Sequence, residues 1–388
     1  NTAQGIQAFL RSLGPSAPTY LRLFAERPNL VRHIIQPLAR SDAMTVLLHQ
    51  SPYVVDGLMS AGVEVADLPD IKLGRELVEA APFYERKLGA LRAFVNEQLY
   101  LAYLAVFDKR RDTAWAQAYL SALAEQTLAL GAEVLCEELD LEALPFSVIG
   151  MGKLATKAMM PLSDLDLIFI VPDGADFEAS NKIARRFIAL LDAPMKEGRA
   201  YPTDTRLRPS GRSGPPTVSM SSFARYHRQE AHTWEHLALV TARPVLDAAK
   251  IAQPFSQLRA QIMGSARDGQ QLVEDSAKML ERLRTARYEA DIPDHEVKLR
   301  PGGLMELEFL ANMMALQQAP THPDSGQPLG RNLYQSLDWP FAEKLAKFQA
   351  AQFYSRLHGP NWPAWSGFDW SFDDCREVEA AVEKQIFQ

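Results

Sequence analysis

Ser163-Asp164-Leu165-Asp166-Leu167-Ile168-Phe169-Ile170-Val171 is the stretch on which the reading of this chain turns. Leu165 to Val171 is a short, β-rich apolar run. Along a strand alternate side chains share a face, so Asp164 and Asp166 point one way while Leu165 and Leu167 point into a core. Two carboxylates on one face repel each other unless a cation sits between them. One or two carboxylates completed by substrate phosphates are how magnesium is usually held at nucleotide sites. On an edge strand the same pair is simply solvated, and Asp-x-Asp alone does not separate the two readings.

Upstream, Phe146 to Met151 is a second β-rich run, and Val148-Ile149-Gly150-Met151-Gly152-Lys153 carries it into a glycine turn. Backbone N–H groups at such a turn, and at the helix after it, can cradle phosphate. Downstream, Ser180 to Leu191 reads as a helix and Tyr201 to Leu207 as a third strand. On that strand Asp204 shares a face with Arg206 and Arg208, cations able to neutralise a triphosphate. An internal Asp–Arg ion pair is the plainer use of the same residues. Pro209 to Pro216 reads as a loop, and Ser219 to Thr241 as one long helix.

On both sides the texture is helical. Asn29 to Arg40 has an apolar stripe at Leu30, Val31, Ile34, Ile35 and Leu38, which Pro37 is expected to kink or end. Ser41 and Asp42 offer an N-cap for the next helix, and Ser51-Pro52 is a boundary. Phe83 to Lys109 suits a largely buried helix, followed by a solvated turn at Lys109 to Asp112. From Gln270 onward Leu272, Met279, Leu280 and Leu283 form a stripe, and Leu304 to Leu316 is apolar almost all round. Pro320 to Gly330 is loop-like, and the tail around Trp362, Trp365 and Trp370 has no period. The expected organisation is α+β, mostly α: helices over 1–125, a small α/β unit over 126–268 and a helical bundle, a candidate regulatory unit, over 269–388.

Composition agrees with a globular chain. Of 388 residues, 47% are hydrophobic and 23% charged, ordinary values for a length that suggests two or three domains at roughly 150 residues each. The formal charge of −7 argues against non-specific nucleic-acid binding, which depends on cations neutralising phosphates. Cys136 and Cys375 are too few for a disulfide framework or a multi-cysteine zinc site. No apolar run approaches the roughly 20 residues of a membrane span, and no signal-peptide pattern is present. The expectation is a cytoplasmic protein without nucleic-acid or membrane partners. From its start at Asn1, not methionine, a fragment or a processed chain is expected.

The segments together resemble the nucleotidyltransferase superfamily, whose pattern is a glycine turn, Asp-x-Asp about ten residues on, and a third carboxylate on a neighbouring strand. The resemblance narrows with Gly150-Met151-Gly152-Lys153-Leu154, Ser163 to Phe169, Asp204-Thr205-Arg206-Leu207-Arg208-Pro209-Ser210-Gly211, Trp234-Glu235-His236-x-Ala238-Leu239-x-x-Ala242-Arg243-Pro244 and Gly302-Gly303-x-x-Glu306-x-Glu308-Phe309. Taken in order these look like the glutamine synthetase adenylyltransferase family. The resemblance implies a small mixed sheet like that of DNA polymerase β, flanked by helical domains. It implies magnesium held by Asp164, Asp166 and Asp204, and ATP held through Gly152, Lys153 and Ser163, with Arg206 and Arg208 on its triphosphate side. The implied reaction attaches AMP to a tyrosine of glutamine synthetase, with a PII signal protein as a possible further partner. Family members carry two such units, one attaching AMP and one removing it. The string Glu230 to His236 and the serine after Pro209 look closer to the attaching unit. One departure stands out: where the family has Gly-Gly-x-Glu after Lys-Leu, this chain has Ala155, Thr156, Lys157 and Ala158.

Two other functions compete. His232-Thr233-Trp234-Glu235-His236 matches the His-x-x-Glu-His pattern of one zinc-peptidase class. Histidines four apart share a helix face, and Glu308 is a conceivable third ligand. A catalytically lapsed nucleotidyltransferase fold acting as a binding module is the other, motivated by Ala155 to Ala158. Glu306 and Glu308, following Gly302-Gly303, are expected to cap a first helical turn, where carboxylates meet the helix dipole favourably.

Overall fold

The computed structural model describes residues 2–209, 211–288, 296–318, 341–359, 371 and 373–387. The expected loop at Pro320 to Gly330 and the tryptophans 362, 365 and 370 lie outside these residues, as does Ser210.

Eight helices come first: Thr2–Ser12 (α1), Ala17–Glu26 (α2), Pro28–Arg40 (α3), Asp42–Gln50 (α4), Val54–Ala61 (α5), Ile71–Glu79 (α6), Tyr84–Phe107 (α7) and Thr113–Leu139 (α8). Their signals are local. The Ser41 hydroxyl caps α4 by accepting the Met44 amide at 3.3 Å, and Asp112 caps α8 by accepting the Trp115 amide at 2.7 Å. Pro37 does not end α3, which continues to Arg40. The expected turn after α7 is also a contact point: Arg110 pairs with Asp108, and Arg111 with Asp67. Helix α8 runs through residue 125 without interruption and so belongs both to the helical block and to the sheet it packs against.

Five strands follow: Ser147–Gly150 (β1), Leu165–Val171 (β2), Thr203–Asp204 (β3), Thr217–Ser219 (β4) and Arg243–Leu246 (β5). The sheet runs β3-β2-β1-β5, with β4 also on β2. Strands β1, β2 and β5 pair antiparallel, whereas β3 and β4 lie parallel to β2 at opposite ends of it. The sheet is therefore mixed, as expected. Between the strands lie Gly152–Ala155 (α9), Phe177–Asp192 (α10), Met220–Gln229 (α11) and Thr233–Leu239 (α12). Phe146, Phe169 and Phe187, all fully buried, meet edge to face with centroids 5.2–6.2 Å apart and seat α10 on the sheet.

Three expectations are corrected here. The third strand is two residues long, not seven, because the chain turns at Asp204, whose carboxylate accepts the Arg206 amide at 2.8 Å. Arg206 and Arg208 thus do not share a strand face with it. Ser219 to Thr241 is not one helix: it opens on β4, then breaks at Glu230–His232, where the Glu235 carboxylate accepts the His232 amide at 2.9 Å and starts α12 afresh. Strand β5, which carries Pro244 on the open side of β1, was not expected.

Ala252–Met263 (α13), Gly269–Tyr288 (α14), Leu304–Gln318 (α15), Ala342–His358 (α16) and Asp373–Val382 (α17) are the remaining helices among the described residues, followed by a last turn, Glu383–Phe387. Glu306, with no exposure, binds the Arg284 guanidinium through two 2.8 Å hydrogen bonds and accepts the Gly302 amide at 3.0 Å. It caps α15 as expected. Glu308 sits beyond the first turn and does not. The Gly302-Gly303 pair is a packing device: Gly302 has φ +64°, and a Cβ there would lie 1.9 Å from the Cys375 carbonyl oxygen. No helix among the described residues is long and apolar enough to cross a membrane.

Candidate active site

Register alone assembles the site. Because β1 and β2 are antiparallel with Gly150 opposite Leu167, the end of β1 meets the start of β2. The Met151 amide donates to the Asp166 carbonyl at 2.9 Å, laying the glycine turn across the aspartates. Strand β3 is parallel to β2 with Asp204 opposite Asp166, which brings up the third carboxylate. Leu165 and Leu167 are fully buried on the other face, as the alternation requires. Oxygens of Asp164, Asp166 and Asp204 all lie within 4.8 Å of one another, and this is the one such convergence of His, Cys, Asp or Glu side chains among the described residues. Asp164, Asp204, Arg206 and Arg208 line an open cleft of about 340 Å³.

The electrostatics are those of an anionic cluster beside one lysine. Burial first, then the Asp164 charge, push the Asp166 carboxyl up to about 6, and Lys153 opposes them. Burial, with Lys298 and Arg356 adding to it, brings the Lys153 ammonium down to about 8, against the pull of Glu308 and Asp166. Oxygen-only donors at this spacing suit a hard dication such as magnesium. Gly152 is required where it stands. Its φ is +51°, and a Cβ would lie 2.5 Å from Asp166 Oδ2.

The two loops that carry the aspartates are held from outside the sheet. Fully buried Arg92 on α7 donates to the Leu190 and Ala193 carbonyls at 2.7 and 3.1 Å, and Asn96 donates to those of Glu197 and Arg199 at 2.9 and 3.0 Å. These bonds fix the approach to β3. Ahead of Asp164, the Ser163 hydroxyl accepts the Met160 amide at 3.1 Å, and the Tyr103 hydroxyl accepts the Leu162 amide at 3.2 Å. From α16, Arg356 donates to the Pro161 carbonyl at 3.1 Å and to Ser163 Oγ at 3.4 Å. Ser163 is thus nearly buried within its loop. Arg356 and Lys298 had no sequence signal, since each lies more than 130 residues from Asp166; Glu308 stood in the Gly302 to Phe309 motif but was read there as a cap or a zinc ligand, not as a neighbour of Lys153.

The arginines are engaged. The Arg206 side chain pairs with Asp204, Nε to Oδ2 at 2.6 Å, while remaining largely exposed. Arg208 donates to the Gly214 and Pro215 carbonyls at 2.9 and 2.8 Å and to Thr205 Oγ1 at 2.9 Å, closing the loop after β3. Ala155 and Ala158 are fully buried and do not line the cleft; the Ala155 carbonyl accepts Arg243 Nε at 2.9 Å. The zinc arrangement is not formed. His236 Nε2 lies 2.9 Å from the His227 carbonyl oxygen, and Glu235 Oε1 accepts the Tyr226 hydroxyl at 2.6 Å.

Comparison with known proteins follows the same segments. The pattern of a family described as glutamate-ammonia ligase adenylyltransferase matches residues 31–258. A protein of Mesorhizobium japonicum named bifunctional glutamine synthetase adenylyltransferase/adenylyl-removing enzyme is 30% identical, over 79% of this chain and 33% of its own length. Proteins of the same name from Stenotrophomonas maltophilia and Rhizobium meliloti are 31% and 30% identical, over 91% and 85% of this chain and 39% and 35% of theirs. The chain spans between a third and two fifths of the length of these curated relatives.

Proposed function

The chain belongs to the glutamate-ammonia ligase adenylyltransferase family, and from that premise we propose that it transfers AMP from ATP to a tyrosine of glutamine synthetase, with magnesium, at Asp164, Asp166 and Asp204. The observation that carries the reading is the convergence of three carboxylates from two paired strands under a glycine turn. Asp164, Asp166 and Asp204 would hold the metal. Magnesium bound there supplies charge neutralisation at the α-phosphate and at the attacking oxygen.

The chain's own residues do the rest. Gly152 leaves the turn open for phosphate to approach, and Lys153, low in pKa and without an ion-pair partner among the described residues, offers a cation beside Asp166. Ser163 shapes the loop that presents Asp164. Arg206 is exposed at the cleft and is placed to meet the triphosphate. The contacts of Arg208 favour the plainer role of holding the loop. In the reaction the tyrosine oxygen bonds to the α-phosphorus, the bond to the β-phosphate bridge breaks, and pyrophosphate leaves with the displaced electron pair while the phenol proton is released. The buried methyls of Ala155 and Ala158 leave the cleft unobstructed, which favours an active site over a lapsed one.

Direction rests on the string Glu230 to His236, which resembles the attaching unit of the family. Two parallel incubations test it. Unmodified glutamine synthetase with ATP and magnesium is expected to gain AMP, and adenylylated glutamine synthetase with phosphate is expected to yield no ADP. The opposite pair of results reverses the assignment. A PII-type partner, if one binds, would do so on the helices after residue 269, and binding of labelled PII to the chain checks this.

A further inference from the structure

We propose that the cavity walled by the two aspartate-bearing loops and helices α4, α7 and α8 binds a small, largely apolar molecule that carries a carbonyl-type hydrogen-bond acceptor. The cavity measures about 340 Å³, enough for a single-ring compound and within the range of ligand pockets. Its walls are mostly aliphatic or thioether: Leu47, Leu99, Leu120, Met159 and Met160.

Two phenol hydroxyls on those walls have no acceptor among the described residues. Tyr201 is 3% exposed, and its hydroxyl has no hydrogen-bond partner among the described residues. Tyr103 is 2% exposed; its hydroxyl oxygen accepts the Leu162 amide, and its own proton goes to no described residue. Burial raises the pKa of both phenols, and Tyr103 adds to the rise at Tyr201, so both stay neutral donors on the lining of one cavity. A buried donor left unpaired carries a desolvation penalty. A water would need two to four polar partners to be held well, and these walls are chiefly apolar. An acceptor on an apolar body matches the site better than an ion, because the one cation on the lining, Arg199, is exposed and paired with Asp192 at 2.9 Å.

The same walls include Ser163 and Pro202, which precede Asp164 by one residue and Asp204 by two. Leu162, at φ +57°, hangs its amide on Tyr103. A molecule that engages both phenols therefore braces both carboxylate loops at once, a route by which occupancy reaches the site from behind.

Benzamide is the test probe, titrated into the full chain by calorimetry and thermal shift. Wild type is expected to bind it saturably, and amide hydrogen exchange over residues 159–165 and 199–204 is expected to slow. Tyr201→Phe should weaken binding about tenfold, the value of one hydrogen bond, with a Tm equal to or above wild type because an unpaired hydroxyl is removed. Leu99→Trp, which fills the cavity, should abolish binding. No saturable binding to wild type overturns the proposal, as does equal affinity in both variants, which would place the probe elsewhere. A lower Tm for Tyr201→Phe also overturns it, since the hydroxyl would then already be satisfied, for instance by water. None of these readouts depends on adenylyl transfer, so their failure leaves the functional reading untouched.

Discussion

Asp166 is where the chain's charges conflict most. Its carboxyl is pushed up to about 6 by burial and by Asp164, so below that pH a proton competes with the metal for it. Apparent magnesium affinity is accordingly expected to weaken by several-fold between pH 7 and pH 5.5, which titration calorimetry at the two pH values checks. Gly152→Ala places a Cβ 2.5 Å from Asp166 Oδ2 at φ +51°. It should reduce turnover at least tenfold while costing only about 1 kcal/mol of stability; a variant with wild-type turnover would remove the turn from the site. Arg208→Lys cannot reproduce three bonds from one planar fork. It should lower Tm by a few degrees yet leave ATP affinity unchanged at two salt concentrations. The shared face of Asp164 and Asp166 was legible in the sequence because strand alternation fixes it, whereas the metal role of Asp204 came only with the resemblance. The role of Arg208 was not, since its partners are loop carbonyls whose positions no local pattern specifies.

At the level of elements, the catalytic strands are short and depend on helices to place them. The two residues of β3 cannot fix their own register. The bonds from Arg92 and Asn96 on α7 hold the loop that delivers β3, and Arg356 on α16 ties down the loop before Asp164. Arg356→Met is expected to lower kcat with little change in the KM for ATP, and restoration by Arg356→Lys would show that the charge suffices. A larger structural cost is expected at the pair of Glu306, which has no exposure, with Arg284. Arg284→Met strands a buried carboxylate and should cost about 3–5 kcal/mol in urea unfolding; a loss under 1 kcal/mol would contradict the burial. Strand β2 was legible to the residue, whereas the break at Glu230–His232 was not. It contains neither glycine nor proline, and its signal is a reciprocal cap between His232 and Glu235 that the helical periodicity on either side conceals. Strand β3 was overextended, as Tyr201 to Leu207, because the threonines flanking Asp204 suit a strand, but the turn at Asp204 prevails.

The whole molecule places a small mixed sheet among helices that precede and follow it, with α8 shared between the first block and the sheet. That arrangement sets a pH limit. His227 is buried with neither ring nitrogen partnered among the described residues, and burial, then His236, bring its pKa down to about 4. Its folded value lies below the roughly 6.5 of an unfolded histidine, so on acidification the unfolded chain takes the proton first. Stability is full above about pH 6.5 and falls progressively toward pH 4, by at most about 3 kcal/mol from this residue. Urea midpoints at pH 7 and pH 5 measure the loss, and His227→Phe should flatten it. The overall class, mostly helical around a small sheet, was legible from texture alone. The links from α7 and α16 to the catalytic loops were not, because they join residues far apart in sequence.

The most direct test of the account follows labelled α-phosphate. With ATP carrying that label, magnesium and unmodified glutamine synthetase, the chain is predicted to move label onto a glutamine synthetase tyrosine and release pyrophosphate. Asp204→Asn is predicted to cut this by at least roughly a hundredfold, on the scale of losing one electrostatic stabiliser, while ATP binding stays largely intact. Label transfer by Asp204→Asn at a near-normal rate, or none by the wild-type chain, would contradict it.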